Sequence, residues 1–117
     1  MANTLGKFLR KIRIDRDELL VDMARNLGVS SAFLSQIENG GKKPPKNWEN
    51  EFLAKYDLSA EQEQEFRDCV FDATNSKSID LSLYPQSDRD MMLSFARKLS
   101  TIDDEQKEKL MSFFNKI

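Results

Sequence analysis

The amino-acid sequence predicts an all-α fold with a single short strand, arranged as two small helical subdomains. Apolar residues recur at positions i, i+3, i+4 and i+7 in several windows, which is the spacing of one face of an α-helix. Only one short window alternates with period two, as a half-buried strand does. The 117 residues, of which 39% are hydrophobic, are enough for one or two small cores.

The first three helices are predicted from apolar spacing and a glycine stop. A helix over about 4–15 carries the stripe Leu5, Phe8, Leu9 and Ile12, and a helix over about 17–27 carries Leu20, Met23, Ala24 and Leu27. Gly28 can adopt the positive φ that ends the second helix, and Ser30 can cap a third helix over about 30–39. Leu34 and Ile37 would bury one face of that third helix. Residues 25–40 therefore predict a helix-turn-helix.

Two further helices follow a loop. The segment GGKKPP at 40–45 cannot continue a helix, because its glycines are entropically costly there and Pro44 restricts the residue before it. Trp48, Phe52 and Tyr56, at spacing four, predict a fourth helix over about 45–56 that starts near Pro45. A capping box of Ser59 and Gln62 opens a fifth helix to about residue 74, with the stripe Phe66, Cys69, Val70 and Ala73.

The C-terminal part predicts one strand and two helices. Ile79, Leu81 and Leu83 alternate with polar residues, which is typical of a short strand. A lone strand needs a partner strand, so this pattern favours dimerisation or pairing with another protein. Ser87 can cap a sixth helix, and Asp103 with Gln106 can cap a seventh. These last two helices are expected to pack as a hairpin.

The net charge of -2 and the pI near 5.2 conceal an uneven distribution. Residues 1–58 carry 10 basic and 8 acidic side chains, whereas residues 59–117 carry 8 and 12. Basic residues cluster in the first helix and in the loop near residue 43, where they could flank a phosphate backbone. They are Lys7, Arg10, Lys11, Arg13, Arg16, Lys42, Lys43 and Lys46.

Composition disfavours several classes of protein. The chain has no histidine and a single cysteine, so it cannot form an intrachain disulfide and lacks the usual zinc ligands and the usual general base. No glycine-rich phosphate loop or nucleophile elbow is present. The sequence has neither an apolar run of about 20 residues nor a signal peptide. We therefore expect a cytoplasmic protein, bacterial or from a phage, that is not an enzyme and has no cofactor or metal.

Residues 5–58 resemble the DNA-binding domain of the Cro and lambdoid-repressor superfamily, also called Xre-type regulators. The matching positions are Leu9-Arg10, Arg13, Met23-Ala24, Leu27-Gly28-Val29-Ser30, Leu34, Ile37-Glu38-Asn39-Gly40 and Pro44. The resemblance implies a compact five-helix repressor-like helix-turn-helix domain over residues 1–58. It also implies that the helix 30–39 lies in the major groove of double-stranded operator DNA.

The resemblance assigns DNA contacts to particular residues. Base reading falls to Ser31, Ala32, Ser35 and Gln36, whose hydroxyl, methyl and amide groups suit base edges, although a merely solvated face is the alternative. Phosphate contacts fall to Ser30, Asn39, Lys42 and Lys43, with Arg10 and Lys11 as weaker candidates.

Other matches and departures concern structure. Arg13 and Glu38 match two positions that form an internal ion pair in the family. Phe33 is expected to pack in the core more than to contact DNA. Many family members begin the second helix with Ser-Gln, where the Gln helps to hold a phosphate. This chain has Leu19-Leu20, so that contact is lost, and both leucines can pack.

Residues 59–117 match no ligand-binding domain and are expected to serve dimerisation, partner binding or both. The expected interface comprises Ile79, Leu81, Leu83, Phe113 and Phe114. The first interpretation is a dimeric, sequence-specific transcriptional regulator, most simply an autorepressor, with its recognition helices about 34 Å apart. The alternative is an antitoxin or adaptor that masks a partner protein, such as a toxin or a protease from an adjacent gene.

Overall fold

The structure, a computed structural model, describes residues 4–117, whose regular elements are all helical. The α-helices are α1 (Thr4–Asp15), α2 (Leu20–Leu27), α3 (Ser31–Glu38), α4 (Trp48–Lys55), α5 (Ala60–Asn75), α6 (Gln86–Lys98) and α7 (Asp104–Lys116), and Leu81–Leu83 forms a 3-10 turn. The prediction of an all-α fold is confirmed. The chain divides into two compact units, a first unit that ends at Ile79 and a second unit, Asp80–Ile117.

The turn between α2 and α3 has the predicted stop and cap. Gly28 has a φ of 70°, the left-handed conformation that costs glycine little, and Val29 donates its backbone N–H to the Ala24 carbonyl at 3.0 Å. Ser30 then caps α3, because its Oγ accepts a hydrogen bond from the backbone N–H of Phe33 at 3.1 Å. The two helices therefore follow each other with almost no intervening chain.

Some helices begin later or earlier than the sequence predicts. α2 starts at Leu20 because Asp17, with a φ of 55°, lies in the left-handed region and cannot continue a helix. α4 starts after Asn47 instead of at Pro45. α6 starts directly after Pro85, so Ser87 lies inside the helix and is not its cap. The capping boxes at the starts of α5 and α7 form as predicted.

The core of the first unit is aromatic and is completed by α5. Phe52 of α4 stacks on Phe66 of α5, with ring centroids 4.4 Å apart, and both side chains are fully buried. The buried residues of α5 pack with those of α1 in one cluster. This packing explains why the first unit extends to Ile79, whereas the sequence placed the boundary after Leu58.

Two fold predictions are wrong. The described part of the predicted five-helix domain, residues 4–58, contains four α-helices. Residues 79–83 do not form a strand, since Leu81–Leu83 is a 3-10 turn. The turn is stabilised by the Asp80 carboxylate, which accepts hydrogen bonds from the backbone N–H of Ser82 at 3.0 Å and from its hydroxyl at 2.6 Å. This local bonding competes with an extended conformation.

The second unit consists of the 3-10 turn, α6 and α7. The two helices meet through side chains, with Phe95 and Phe114 in an edge-to-face contact at a centroid distance of 6.1 Å. All the residues of this unit are at least partly exposed. Among the described helices, none has the length and apolar character required to cross a membrane.

Candidate nucleic-acid interface

Helix α3 has one buried face and one free face. Leu34 and Ile37 are fully buried against the core of the first unit. On the other face Ala32 and Gln36 are exposed, and Ser31 and Ser35 are partly exposed. The four residues assigned to base reading are therefore all accessible to a ligand.

A buried ion pair connects the C-terminal end of α3 to α1. Arg13 donates two hydrogen bonds to the Glu38 carboxylate, from Nη1 to Oε2 at 2.8 Å and from Nη2 to Oε1 at 2.9 Å. Arg13 is 8% exposed and Glu38 is 3% exposed. Parallel hydrogen bonds of this kind fix both the distance and the angle between the two side chains. The structure thus contains the predicted ion pair, and it orients α3 relative to α1.

Close packing of the α1 backbone against the end of α3 also holds these two helices together. Gly6 of α1 lies against the backbone of Glu38, and a Cβ at this position would overlap the Glu38 carbonyl oxygen. Only glycine fits without displacing one of the two helices. Gly6 was not among the residues predicted from the sequence, although a glycine between apolar stripe positions of a helix is itself a signal of close approach.

The loop after α3 presents lysines beside the exposed face. Gly40 has a φ of 82°, and the backbone N–H groups of Gly41 and Lys42 donate to the Gln36 carbonyl at 2.8 and 3.3 Å. Lys42 places its ammonium 5.2 Å from the centre of the Phe33 ring, a cation–π contact. Phe33 also packs partly against the core, as expected, and so positions a lysine.

One further lysine lies next to this loop. A small cleft of about 60 Å³ is lined by residues 40–43 together with Ala73, Ser76 and Lys77 from the end of α5 and the residues after it. Lys42, Lys43 and Lys77 are all exposed there. Lys77 was not predicted from the sequence, because it lies far along the chain from the loop that it adjoins.

The remaining residues assigned to phosphate contact are at the two ends of α3. Ser30 uses its Oγ as the acceptor for the α3 cap, which leaves its hydroxyl proton free to donate to a phosphate. Asn39 is exposed, and its side-chain amide donates a long hydrogen bond to the Ser35 hydroxyl at 3.4 Å. Ser30 and Asn39 are therefore both available to contact phosphates alongside the loop lysines.

The N-terminal end of α2 presents apolar and acidic side chains, in contrast to the lysines that follow α3. Leu20 packs at the edge of the core, whereas Leu19 is 68% exposed. The backbone N–H of Leu19 donates to the Asp22 carboxylate at 2.9 Å. A carboxylate thus occupies the position at which an anion could approach this helix end.

The turn between α1 and α2 is fastened to the end of α4 by Tyr56. Its hydroxyl donates to Glu18 Oε2 at 2.7 Å, and the Arg16 guanidinium lies 5.3 Å from the centre of its ring. Arg16 also donates to the Asp57 carbonyl at 2.8 Å. Burial raises the pKa of the Tyr56 hydroxyl to about 12, with the Glu18 carboxylate acting in the same direction.

The residues assigned to a dimer or partner interface are exposed to different degrees. Leu83 is 80% exposed, Phe113 59%, Phe114 48% and Ile79 44%, and Leu81 is partly exposed. Ile79 belongs to the first unit and the others belong to the second. The structure brings Phe113 and Phe114 together, with ring centroids 5.9 Å apart.

Comparison with known proteins gives no match among family models, curated proteins or solved structures. Within residues 4–117, no group of three or more His, Cys, Asp or Glu is arranged to hold a metal ion. The surface around α3 offers hydroxyl, amide and ammonium groups, which are the groups that contact base edges and phosphates in DNA complexes.

Proposed function

We propose that this chain is a sequence-specific DNA-binding transcriptional regulator whose helix α3 lies in the major groove. One observation carries the proposal: α3 is fixed to α1 by the buried Arg13–Glu38 pair, while Ala32 and Gln36 remain exposed on its opposite face. A helix that reads bases must be held rigidly and must keep its reading side chains free. The resemblance of residues 5–58 to the Cro and lambdoid-repressor superfamily supports the same function.

Base reading would use the exposed face of α3. Gln36 can form two hydrogen bonds to adenine, Ser31 and Ser35 can donate or accept, and the Ala32 methyl group can contact a thymine methyl. Of these, Gln36 is exposed and has the longest reach, so we assign it the main role. Repression would follow from occupation of a promoter, most simply that of the chain's own operon.

Phosphate contacts would hold α3 in register without reading sequence. Ser30 lies at the start of α3, and Asn39, Lys42 and Lys43 follow its end. The cation–π contact with Phe33 restricts Lys42, so less conformational entropy is lost when that lysine meets a phosphate.

The test begins with selection of binding sites by the full chain from a random duplex library. Fluorescence anisotropy then gives the affinity for the selected site and for random DNA at several salt concentrations. Gln36→Ala should cost about 1–3 kcal/mol at one base position and little on random DNA. The matched control is Gln64→Ala, which removes an exposed glutamine from α5.

The possible results separate the parts of the proposal. Failure of the wild-type chain to enrich any site would contradict sequence-specific binding. Equal losses on selected and random DNA for Gln36→Ala would exclude this residue as a base reader. Lys43→Ala should weaken binding to all sequences alike and lower the log–log salt slope by about 0.9, since one phosphate contact is lost.

A second candidate is an antitoxin or adaptor that masks a partner protein. Exposed apolar side chains on the first unit favour it: Ile14 is 73% exposed, Leu19 68% and Val21 46%. Such side chains can form the centre of a protein interface. A stoichiometric complex with the product of an adjacent gene, formed without DNA and lost in Leu19→Ser, would support this function over the first.

A further inference from the structure

We propose that the cleft between the loop after α3 and the end of α5 binds the phosphate backbone of DNA, with Lys77 holding a phosphate next to the one held by Lys43. This contact deepens the proposed function and rests on it, because the loop follows the helix that would lie in the major groove. It assigns DNA contact to a residue outside the helix-turn-helix, in the part of the chain expected to serve dimerisation or partner binding. The residues that line the cleft are Gly40, Gly41, Lys42, Lys43, Ala73, Ser76 and Lys77.

The cleft combines three basic side chains with no acidic one. Lys42, Lys43 and Lys77 are exposed and line it together, whereas its other lining residues are uncharged. Within residues 4–117, none of these three lysines forms a salt bridge with a carboxylate. Elsewhere in the first unit Arg67 is paired with two carboxylates, at 2.8 and 2.9 Å. Positive charges that lack a partner in one place attract an anion and are free to contact it.

The size of the cleft limits which anion can enter it. Its volume is about 60 Å³, whereas binding sites for small molecules and cofactors measure about 300–1,000 Å³. A nucleotide or another small-molecule effector is therefore too large, whereas a single phosphate group of a longer molecule fits. Lysine binds phosphate as a point charge, without the fixed geometry that arginine imposes, which suits a backbone that passes over the cleft.

The position of the cleft selects the DNA backbone as the source of that phosphate. The backbone N–H groups of Gly41 and Lys42 donate to the carbonyl of Gln36, at 2.8 and 3.3 Å, so the loop folds against the last turn of α3. Gln36 is also the residue to which we assign the main role in base reading. A helix in the major groove lies between two phosphate backbones. A duplex whose bases contact Gln36 therefore brings its phosphates close to this loop.

Both walls of the cleft are fixed to the first unit in the absence of DNA. On the loop side, Pro44 is buried directly after Lys43 and restricts the backbone of that lysine. On the other side, Ala73 packs against the core, and Lys77 follows shortly after the end of α5. Because the two backbones are already held in place, less conformational entropy is lost when a phosphate binds.

Two negative features limit the site. Asp72 is exposed and lines a neighbouring cleft together with Gly40 and Ser76, so a phosphate on that side would meet a carboxylate. The carbonyl end of α5 also carries a partial negative charge, which a lysine at position 77 offsets. The phosphate therefore lies on the side of Lys43 and Lys77. Stabilisation of the α5 end is the purely structural role that Lys77 could have, and that role does not require DNA.

The test uses the full chain and the duplex that the wild-type chain selects, with one backbone phosphate at a time replaced by a neutral methylphosphonate. The ratio of wild-type to Lys77→Gln affinity should fall about 3.5-fold between about 50 and about 200 mM salt, because this fourfold rise acts through a log–log slope of about 0.9 per phosphate. In Lys77→Gln, neutralising one particular phosphate should no longer weaken binding. In Lys43→Gln, the same should hold for the adjacent phosphate of that strand.

Control variants separate this contact from a structural role of Lys77. Lys77→Arg keeps the charge and should retain the wild-type salt dependence. Lys55→Gln removes an exposed lysine of α4 that does not line the cleft, and it should bind as the wild-type chain does. Trp48, the single tryptophan, lies in the core of the first unit, so its fluorescence during urea denaturation measures the stability of each variant.

The results distinguish this contact from the proposed function itself. If the wild-type chain selects a site but Lys77→Gln keeps the wild-type salt dependence and phosphate sensitivity, the contact is excluded while DNA binding by α3 stands. A loss of stability in Lys77→Gln without either of those two changes would likewise overturn the proposal and assign the lysine to the end of α5 alone. If the wild-type chain binds no duplex, both proposals fail.

Discussion

Removal of one partner of the Arg13–Glu38 pair should destabilise the first unit strongly. Both side chains are nearly fully buried, and each oxygen of the Glu38 carboxylate accepts one hydrogen bond from Arg13. Breaking a buried pair of this kind costs about 3–5 kcal/mol, because the remaining charge is left without compensation. We expect the upper part of that range for Glu38→Gln, which leaves the guanidinium buried without a carboxylate.

Replacement of Arg13 should lower the free energy of unfolding less than replacement of Glu38 does. In Arg13→Met the carboxylate of Glu38 keeps a second cation nearby, since Arg10 Nε lies 3.9 Å from its Oε1 and the Arg10 side chain is half exposed. A mobile arginine can move closer and replace part of the lost interaction. We therefore expect about 3 kcal/mol for Arg13→Met, at the lower end of the range for a broken buried pair.

The double variant Arg13→Met with Glu38→Leu tests whether burial is the cause. Replacing both charges by apolar groups of similar volume is often neutral or even stabilising, so the double variant should lose much less stability than the sum of the losses for Arg13→Met and Glu38→Leu measured singly. Urea denaturation followed by Trp48 fluorescence is the assay, because this tryptophan reports on the first unit alone. The surface control is Arg25→Ala, which removes an exposed pair with Asp22 and should cost at most about 1 kcal/mol. Additive losses, or a loss under 1 kcal/mol for Glu38→Gln, would refute the reasoning.

Three further predictions concern other contacts of the first unit. Gly6→Ala should cost about 1–3 kcal/mol through overpacking against the Glu38 backbone and should lower DNA affinity by displacing α3. Ala54→Gly, at an exposed position of α4, should cost only about 1 kcal/mol in the same urea assay. Because the pKa of Tyr56 is raised to about 12 in the folded state, the folded protein keeps a proton that the unfolded chain loses above about pH 10. This contribution to the free energy of unfolding is fully present below pH 10 and disappears as the pH rises through about 12. Tyr56→Phe should flatten that fall in stability, and an unchanged pH profile would contradict the prediction. Lys77→Gln should reduce the log–log salt slope of DNA binding by about 0.9 without changing sequence preference, whereas an unchanged slope would exclude a phosphate contact.

The sequence predicted the positions of the helices well but predicted poorly which helices pack against each other. Local signals are sufficient for the α2–α3 turn, since Gly28 and Ser30 act on their immediate neighbours. The apolar stripe of α5 likewise predicted a helix, but an apolar stripe does not indicate which other helices it packs against. Phe66 in fact packs in the aromatic core of the first unit, which extends to Ile79.

The failed strand and the missed residues have a similar cause. Alternation of Ile79, Leu81 and Leu83 describes a possible sheet face, yet the Asp80–Ser82 hydrogen bonds decide the backbone conformation. Gly6 and Lys77 matter through residues distant in the chain, Glu38 and the loop 40–43 respectively. Contacts of this kind depend on the tertiary arrangement, which periodicity does not contain.

In the proposed complex, the start of α2 and the loop after α3 differ in how well they can contact the phosphate backbone of DNA. At the start of α2 the Asp22 carboxylate already accepts the Leu19 N–H, and a phosphate there would meet a negative charge and an exposed leucine. Beyond the end of α3, Lys42 and Lys43 are exposed next to Lys77. Electrostatic attraction to the DNA backbone would therefore act mainly at the loop end. A chain with a net charge of -2 can bind DNA in this way, because screening limits the effect of its distant acidic residues to about 8–10 Å at physiological salt.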